Sequence, residues 1–145
     1  MKTIALRFAE NFAPKCGTIK AHEEIIDKYG YVWYGKLGSA VSFKVISTIL
    51  SNDEPKILLI RSGRLERYWA YVTDITNKCP PSDEIPTYYR NGSDKFKTWF
   101  KVTRFELTDK NIMSQFVVAS SKQELGIISK ASLSPYFIIE SKTDY

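Results

Sequence analysis

Basic residues gather in two short stretches of this chain. Arg61, Arg64 and Arg67 crowd one, and Lys95, Lys97, Lys101 and Arg104 crowd the other. In an extended strand alternate residues share a face, so Arg61 projects with Arg67 and Lys97 with Lys101. Phosphate oxygens are natural counterparts, which makes Arg61, Arg64, Arg67, Lys97, Lys101 and Arg104 a phosphate-binding set. A solvated sheet face, with Glu66, Asp94 and Glu106 as neighbours, uses the same residues differently. Aromatic residues interleave with this material: Tyr31, Trp33 and Tyr34; Tyr68, Trp69 and Tyr71; Tyr88 and Tyr89; Phe96, Trp99 and Phe100. Some of these rings face the core. A base stacked on one that does not gains roughly 1–3 kcal/mol, and a basic groove beside it holds the backbone.

Catalytic groups are scarcer. Cys16 and His22 are six residues apart, but no third group is spaced to orient the imidazole, and His22 falls between the apolar positions of a helix. Glu23-Glu24, Asp53-Glu54 and Asp83-Glu84 are adjacent pairs on helix faces or loop tips, where solvation explains them. A metal-dependent nuclease needs carboxylates that converge from strands, and only Asp74 and Glu106 lie near strand ends. One histidine and two cysteines form no zinc pattern, and neither G-x-G-x-x-G nor G-x-x-x-x-G-K-[ST] occurs. The expectation is a protein without cofactor or metal and without catalytic activity of its own. The competing expectations are a small nuclease built on Asp74 and Glu106, and a protein-interaction adaptor that uses its aromatics.

With 145 residues the chain fits one domain spanning 1–145, and 43% hydrophobic against 26% charged residues excludes disorder, collagen and coiled coil. Three Trp, nine Tyr and eight Phe exceed what a small core needs, and surplus aromatics tend to line pockets. The net charge of +5 suits a polyanionic partner. No apolar run approaches the roughly 20 residues of a membrane helix. Arg7 interrupts the N-terminal apolar segment, so no secretory leader is expected. The expected setting is the cytoplasm, with no membrane contact and with Cys16 and Cys79 reduced and buried.

Residues 3–8 have the composition of a strand, and 11–17 that of a loop. Ile19, Ala21, Ile25, Ile26 and Tyr29 have helical spacing, with Gly30 as the stop. Residues 31–34 form a strand ended by Gly35 and Gly38, and Ser42 caps a second helix striped by Val45, Ile46, Ile49 and Leu50. Residues 56–62 and 67–75 pair as an antiparallel hairpin across a turn at 63–66. Residues 78–92, with three prolines, make a long ordered loop with room for one helical turn. Strands follow at 98–107, 115–119 and 136–140, and 123–131 holds a short helix. Strands without regular βαβ alternation, and two helices in the N-terminal half, predict an α+β fold with a small curled mixed sheet or barrel.

The order of these motifs resembles the PUA-like superfamily, in particular its EVE and YTH branches. Leu6-Arg-Phe-Ala-Glu-Asn11, the helix after it and Gly30-Tyr-Val-Trp-Tyr34 are similar to the opening of YTH-type domains. Lys56-Ile-Leu-Leu-Ile-Arg-Ser-Gly63 with Tyr68-Trp-Ala-Tyr-Val-Thr-Asp-Ile75 resembles the central hairpin of both branches, and Trp99-Phe-Lys-Val-Thr103 the strand after the long loop. The resemblance implies a small barrel that takes a modified base of DNA or RNA into an aromatic pocket. Trp33 would be its floor, Asn11 a contact to the base edge, and Trp99, Tyr88 or Phe96 the opposing wall. Tyr34 completes the base-binding set, although it stands where the family has a small residue. Trp69 has no counterpart, and the turn at 63–66 lacks the family's glycines. EVE-type relatives imply a role in restriction or defence. An open slot beside Trp33 is the feature such a reader requires, and Val32, if it anchors the core, turns Trp33 away from it.

Overall fold

A computed structural model describes residues 1–8, 15–61, 66–89, 95–109, 111–132, 134 and 136–142, with the backbone alone at Arg61 and Thr87. Seven strands lie in one sheet in the order β2-β5-β4-β3-β1-β7-β6. The strands are β1 (Lys2–Phe8), β2 (Val32–Leu37), β3 (Lys56–Arg61), β4 (Arg67–Thr76), β5 (Phe96–Leu107), β6 (Phe116–Val118) and β7 (Tyr136–Ser141). β1 runs parallel to β3, and the other pairings are antiparallel. The helices are α1 (Thr18–Tyr29), α2 (Phe43–Leu50) and α3 (Leu125–Ala131). This is the mixed α+β sheet that the sequence predicts. It is open, with no pairing between β2 and β6 among the described residues.

The sheet nevertheless curls. Register shifts interrupt the β4–β5 pairing around Val72 and the β2–β5 pairing at Lys36/Leu37, and such bulges sharpen the twist. The curl brings Lys36 of β2 to Tyr136 of β7, strands far apart in the sheet order, with the ammonium 4.5 Å from the ring centroid. Lys36 is only 2% exposed, and its Nζ donates to the Leu37 and Ser39 carbonyls. It thereby satisfies the turn at Gly38, whose φ of +83° is a left-handed conformation that glycine adopts freely.

Strict alternation builds a core on each face. Ile4, Leu6 and Phe8 of β1, Ile57 and Leu59 of β3, and Ala70 and Val72 of β4 lie under α1 and α2. Their neighbours Ala5, Leu58, Ile60, Trp69 and Tyr71 pack on the opposite face with Phe116, Leu125 and Phe137. Arg7 fastens α3 to the sheet by donating to the carbonyls of Ser129, Ser132 and Ser134. The helix caps match expectation: Ser42 Oγ accepts from Val45 N at 3.3 Å, and Gly30 closes α1 in the left-handed region.

Two local expectations fail. Gly35 does not end β2; it sits inside the strand opposite Trp99, where close packing rather than a turn requires glycine. Both cysteines are exposed instead of buried, because Cys16 lies in the turn before α1 and Cys79 in the proline-rich stretch after β4.

Candidate nucleic-acid interface

The alternation along β2 and β5 generates a third aromatic cluster. Val32 and Tyr34 point into the core beneath the helices, as do Phe100 and Val102. Trp33 and Trp99 therefore face the other way, where they cluster with Ile85 and Tyr89 and are flanked by Tyr31, Tyr88 and Phe96. Across the β2–β5 ladder Trp33 stands opposite Lys101 and Gly35 opposite Trp99. A Cβ at Gly35 would come within 2.7 Å of Phe96 Cδ1 and 2.9 Å of Trp99 Cζ3, so both rings rest on bare backbone. The Phe96 and Trp99 centroids are 5.3 Å apart; Tyr89 lies 4.6 Å from the former and 6.0 Å from the latter.

The segment after β4 closes over this cluster. Two short 3-10 turns, Ser82–Glu84 and Thr87–Tyr89, place Glu84, Ile85 and Tyr89 on it. Glu84 Oε1 accepts from the Tyr31 hydroxyl at 2.6 Å and from Trp33 Nε1 at 3.2 Å, and this carboxylate pushes the Tyr31 phenol pKa up. Asp83 adds a longer bond from the Tyr29 hydroxyl, 3.4 Å. Glu84 is half-buried rather than a solvated loop tip. The anticipated open slot is absent: Trp33 is 8% exposed and Trp99 0%, with Ile85 and Tyr89 packed against them. Trp99 Nε1 is buried there without a hydrogen-bond partner among the described residues.

The other proposed base contacts are distributed unevenly. Phe96, Tyr88 and Trp99 join Trp33 in the cluster, whereas Tyr34 lies on the opposite sheet face, its ring 4.9 Å from that of His22. Asn11 and Arg64 lie outside the described residues, as does the side chain of Arg61. His22 is fully buried, and its Nδ1 sits 2.7 Å from the Thr18 carbonyl. Burial lowers its pKa to about 4, so the ring is neutral at physiological pH. Cys16 is exposed, which separates it in environment from His22 and leaves no nucleophile–base pair.

Cations lie over rings along the same face. Lys101 Nζ is 4.3 Å from the Tyr31 centroid and 5.9 Å from that of Trp33, and no carboxylate pairs with it among the described residues. Arg104 stacks on Tyr71 at 3.7 Å, and Lys56 sits 4.5 Å from Trp69 and 5.3 Å from Tyr71. The Tyr71 hydroxyl donates to Glu106 Oε1 at 2.8 Å; with Arg104 beside it, this holds the Glu106 carboxyl below its usual range. Lys97 is exposed at the β2–β5 register shift, where its neighbour Phe96 takes the Trp99 side of the strand. Arg67 is remote from them at the other end of β4, half-buried, with Nη1 donating to the Glu66 carbonyl. Lys56 escapes notice in the sequence because it stands alone before an apolar run; its cross-strand partner Tyr71 is the signal.

Asp74 and Glu106 do not converge. Across the β4–β5 ladder Asp74 stands opposite Lys101, without an ion pair between them, and Glu106 opposite Trp69, five positions apart along β4, or about 16 Å. Among the described residues no three His, Cys, Asp or Glu side chains gather as a metal-holding group. Among the described residues no helix is long and apolar enough to cross a membrane.

No curated protein and no solved structure gives a significant match to the chain. A family model does match, that of the Pua-like family, over residues 4–140. That span runs from β1 to β7 and includes the whole sheet, both helix-covered and aromatic faces. The chain belongs to the Pua-like family.

Proposed function

We propose that this protein is an intracellular nucleic-acid-binding module that takes one unpaired base, including a modified one, into the Trp33–Trp99 cluster and holds the adjoining phosphates on Lys97, Lys101 and Arg104. Membership of a family whose domains typically bind RNA or other nucleic acid supports the general reading. The observation that carries the finer one is Lys101: a cation that makes no ion pair among the described residues stands over Tyr31 and Trp33, at the rim of the tryptophan cluster. This is the pairing of stacking platform and phosphate anchor that readers of exposed bases employ. Because Ile85 and Tyr89 fill the place of the open slot, this reading requires both to yield when a base enters. The exposed, unpaired Cys16 and Cys79 suit a reducing compartment. The resemblance to EVE-type domains extends the proposal to surveillance in restriction or defence.

Fluorescence anisotropy with labelled single strands, methylated and unmethylated, tests the reading. Two to four phosphate contacts give a log-log salt slope of roughly −1.5 to −3, and Lys101→Ala should reduce its magnitude by about 0.7. A flat salt response, or no binding to any strand at low salt, would overturn the reading in favour of a protein-interaction adaptor.

A further inference from the structure

Trp99 is completely buried, yet its indole N–H meets no acceptor among the described residues. Orphaned buried donors are rare in folded proteins and call for a reason. The contrast with Trp33 is direct, since the Trp33 N–H is taken by Glu84. Around Trp99 the cluster offers Ile85, Phe96, Tyr89 and Trp33, with Gly35 beneath. The Cζ3 edge of the indole lies over Gly35, which puts the N–H edge on the far side of the ring from the β2 backbone. Tyr89 packs against both neighbours, its ring tilted 31° from Phe96 and meeting Trp99 edge-on at 64° with the centroids 6.0 Å apart. The Tyr89 hydroxyl oxygen could accept a hydrogen bond but does not meet the Trp99 N–H, so the ring fills space and leaves the donor unmet. A nucleobase is planar, of similar width, and carries ring nitrogens or carbonyl oxygens along its edge.

We propose that Trp99 Nε1 is the hydrogen-bond donor of the base site, reserved for an edge acceptor of an inserted purine or pyrimidine, and that Tyr89 is the ring that leaves to admit it. The proposal rests on the base-binding reading of the same cluster and specifies which atom reads the ligand. Tyr89 arrives on a short turn, its N–H bonded to the nearby Pro86 carbonyl at 3.0 Å, while Trp33 and Trp99 are fixed in strands; to leave, its ring must give up contacts with Tyr88 and with His22, 5.2 Å away. An aromatic side chain thus keeps the platform dry in the free protein, and exchange of one ring for another limits the apolar surface exposed at any moment.

The test is a titration of the nitrogen-15-labelled full chain with a short single-stranded oligonucleotide, watching the three tryptophan indole N–H signals, with Trp99→Phe assigning the one of interest. In the free protein the Trp99 signal should lie upfield of the bonded Trp33 signal. On addition of the strand it should move downfield and exchange more slowly with water, and a strand with abasic sites throughout should leave it in place. Trp99→Phe keeps a ring and loses the donor, so affinity should fall about 3- to 10-fold with the salt slope unchanged. Should that variant fail to fold, Trp33→Phe and Trp69→Phe assign the signals by difference and the wild-type titration decides. A strand that binds while the Trp99 signal stays still overturns this proposal and leaves nucleic-acid binding standing; the N–H then rests against the Tyr89 ring for structural reasons. Failure of every strand to bind overturns the functional reading and this proposal together.

Discussion

His22 shows how much one buried polar residue contributes and how it would be lost. Helical spacing places it on the buried face of α1 with Thr18 and Ala21, among the rings of Tyr34, Tyr89 and Phe105. Its Nδ1 lies beside the Thr18 carbonyl, which fixes that nitrogen as the protonated one of the neutral ring. The folded-state pKa of about 4 lies below the ordinary 6.5, so the unfolded chain takes up a proton before the folded one does. The stability that the neutral ring contributes is complete above pH 6.5 and is lost as pH falls from 6.5 to 4, by at most ~3 kcal/mol. Urea unfolding across that window should therefore show a steeper loss for the wild type than for His22→Gln; parallel curves would mean that the imidazole titrates freely. The periodicity of α1 made this burial legible in the sequence. It could not show Glu84, because an acid in a proline-rich loop has solvation as a sufficient explanation, and its partners Tyr31 and Trp33 are more than fifty positions away.

At the level of elements, the strands were readable and the segment joining β4 to β5 was not. Alternation in β2 separates Trp33 from Tyr34, and the β3–β4 hairpin follows from two apolar runs flanking a turn. The segment 77–89 has no such period, so that its prolines and short 3-10 turns mark a loop without revealing where it packs. Its anchorage is Glu84, which accepts two side-chain hydrogen bonds from neighbouring residues of the β2 end. Glu84→Ala should cost about 1–3 kcal/mol, since it strands the N–H of the buried Trp33 as well as removing the bonds. The same substitution should return the Tyr31 phenol toward its ordinary pKa, a fall that ultraviolet difference titration of the variant against wild type would detect. An unchanged titration would show that the carboxylate does not hold the hydroxyl in solution.

Across the whole molecule, the register keeps apart two acids that it could have brought together. β4 and β5 are neighbours, which is the condition for Asp74 and Glu106 to share a metal, but their pairing keeps the two acids about 16 Å apart. Incubation with methylated and unmethylated single and double strands, in magnesium and then manganese, should yield no cleavage products on a gel. Cleavage abolished by both Asp74→Ala and Glu106→Ala would show that the two acids act together after all. The seven-strand order itself has a consequence in time. β1 lies between β3 and β7, with Lys2 opposite Glu140 and Ala5 opposite Leu58, so the strand translated earliest has partners translated much later. At roughly 5–20 residues per second on the ribosome, its second edge waits on the order of ten seconds for β7. Until then Ile4 and Leu6, buried in the finished sheet, depend on α1, α2 and β3 for cover, and the nascent chain presents an unpaired strand edge to whatever is nearby. Synthesis rate and chaperone supply, rather than final stability, then set the yield of folded protein.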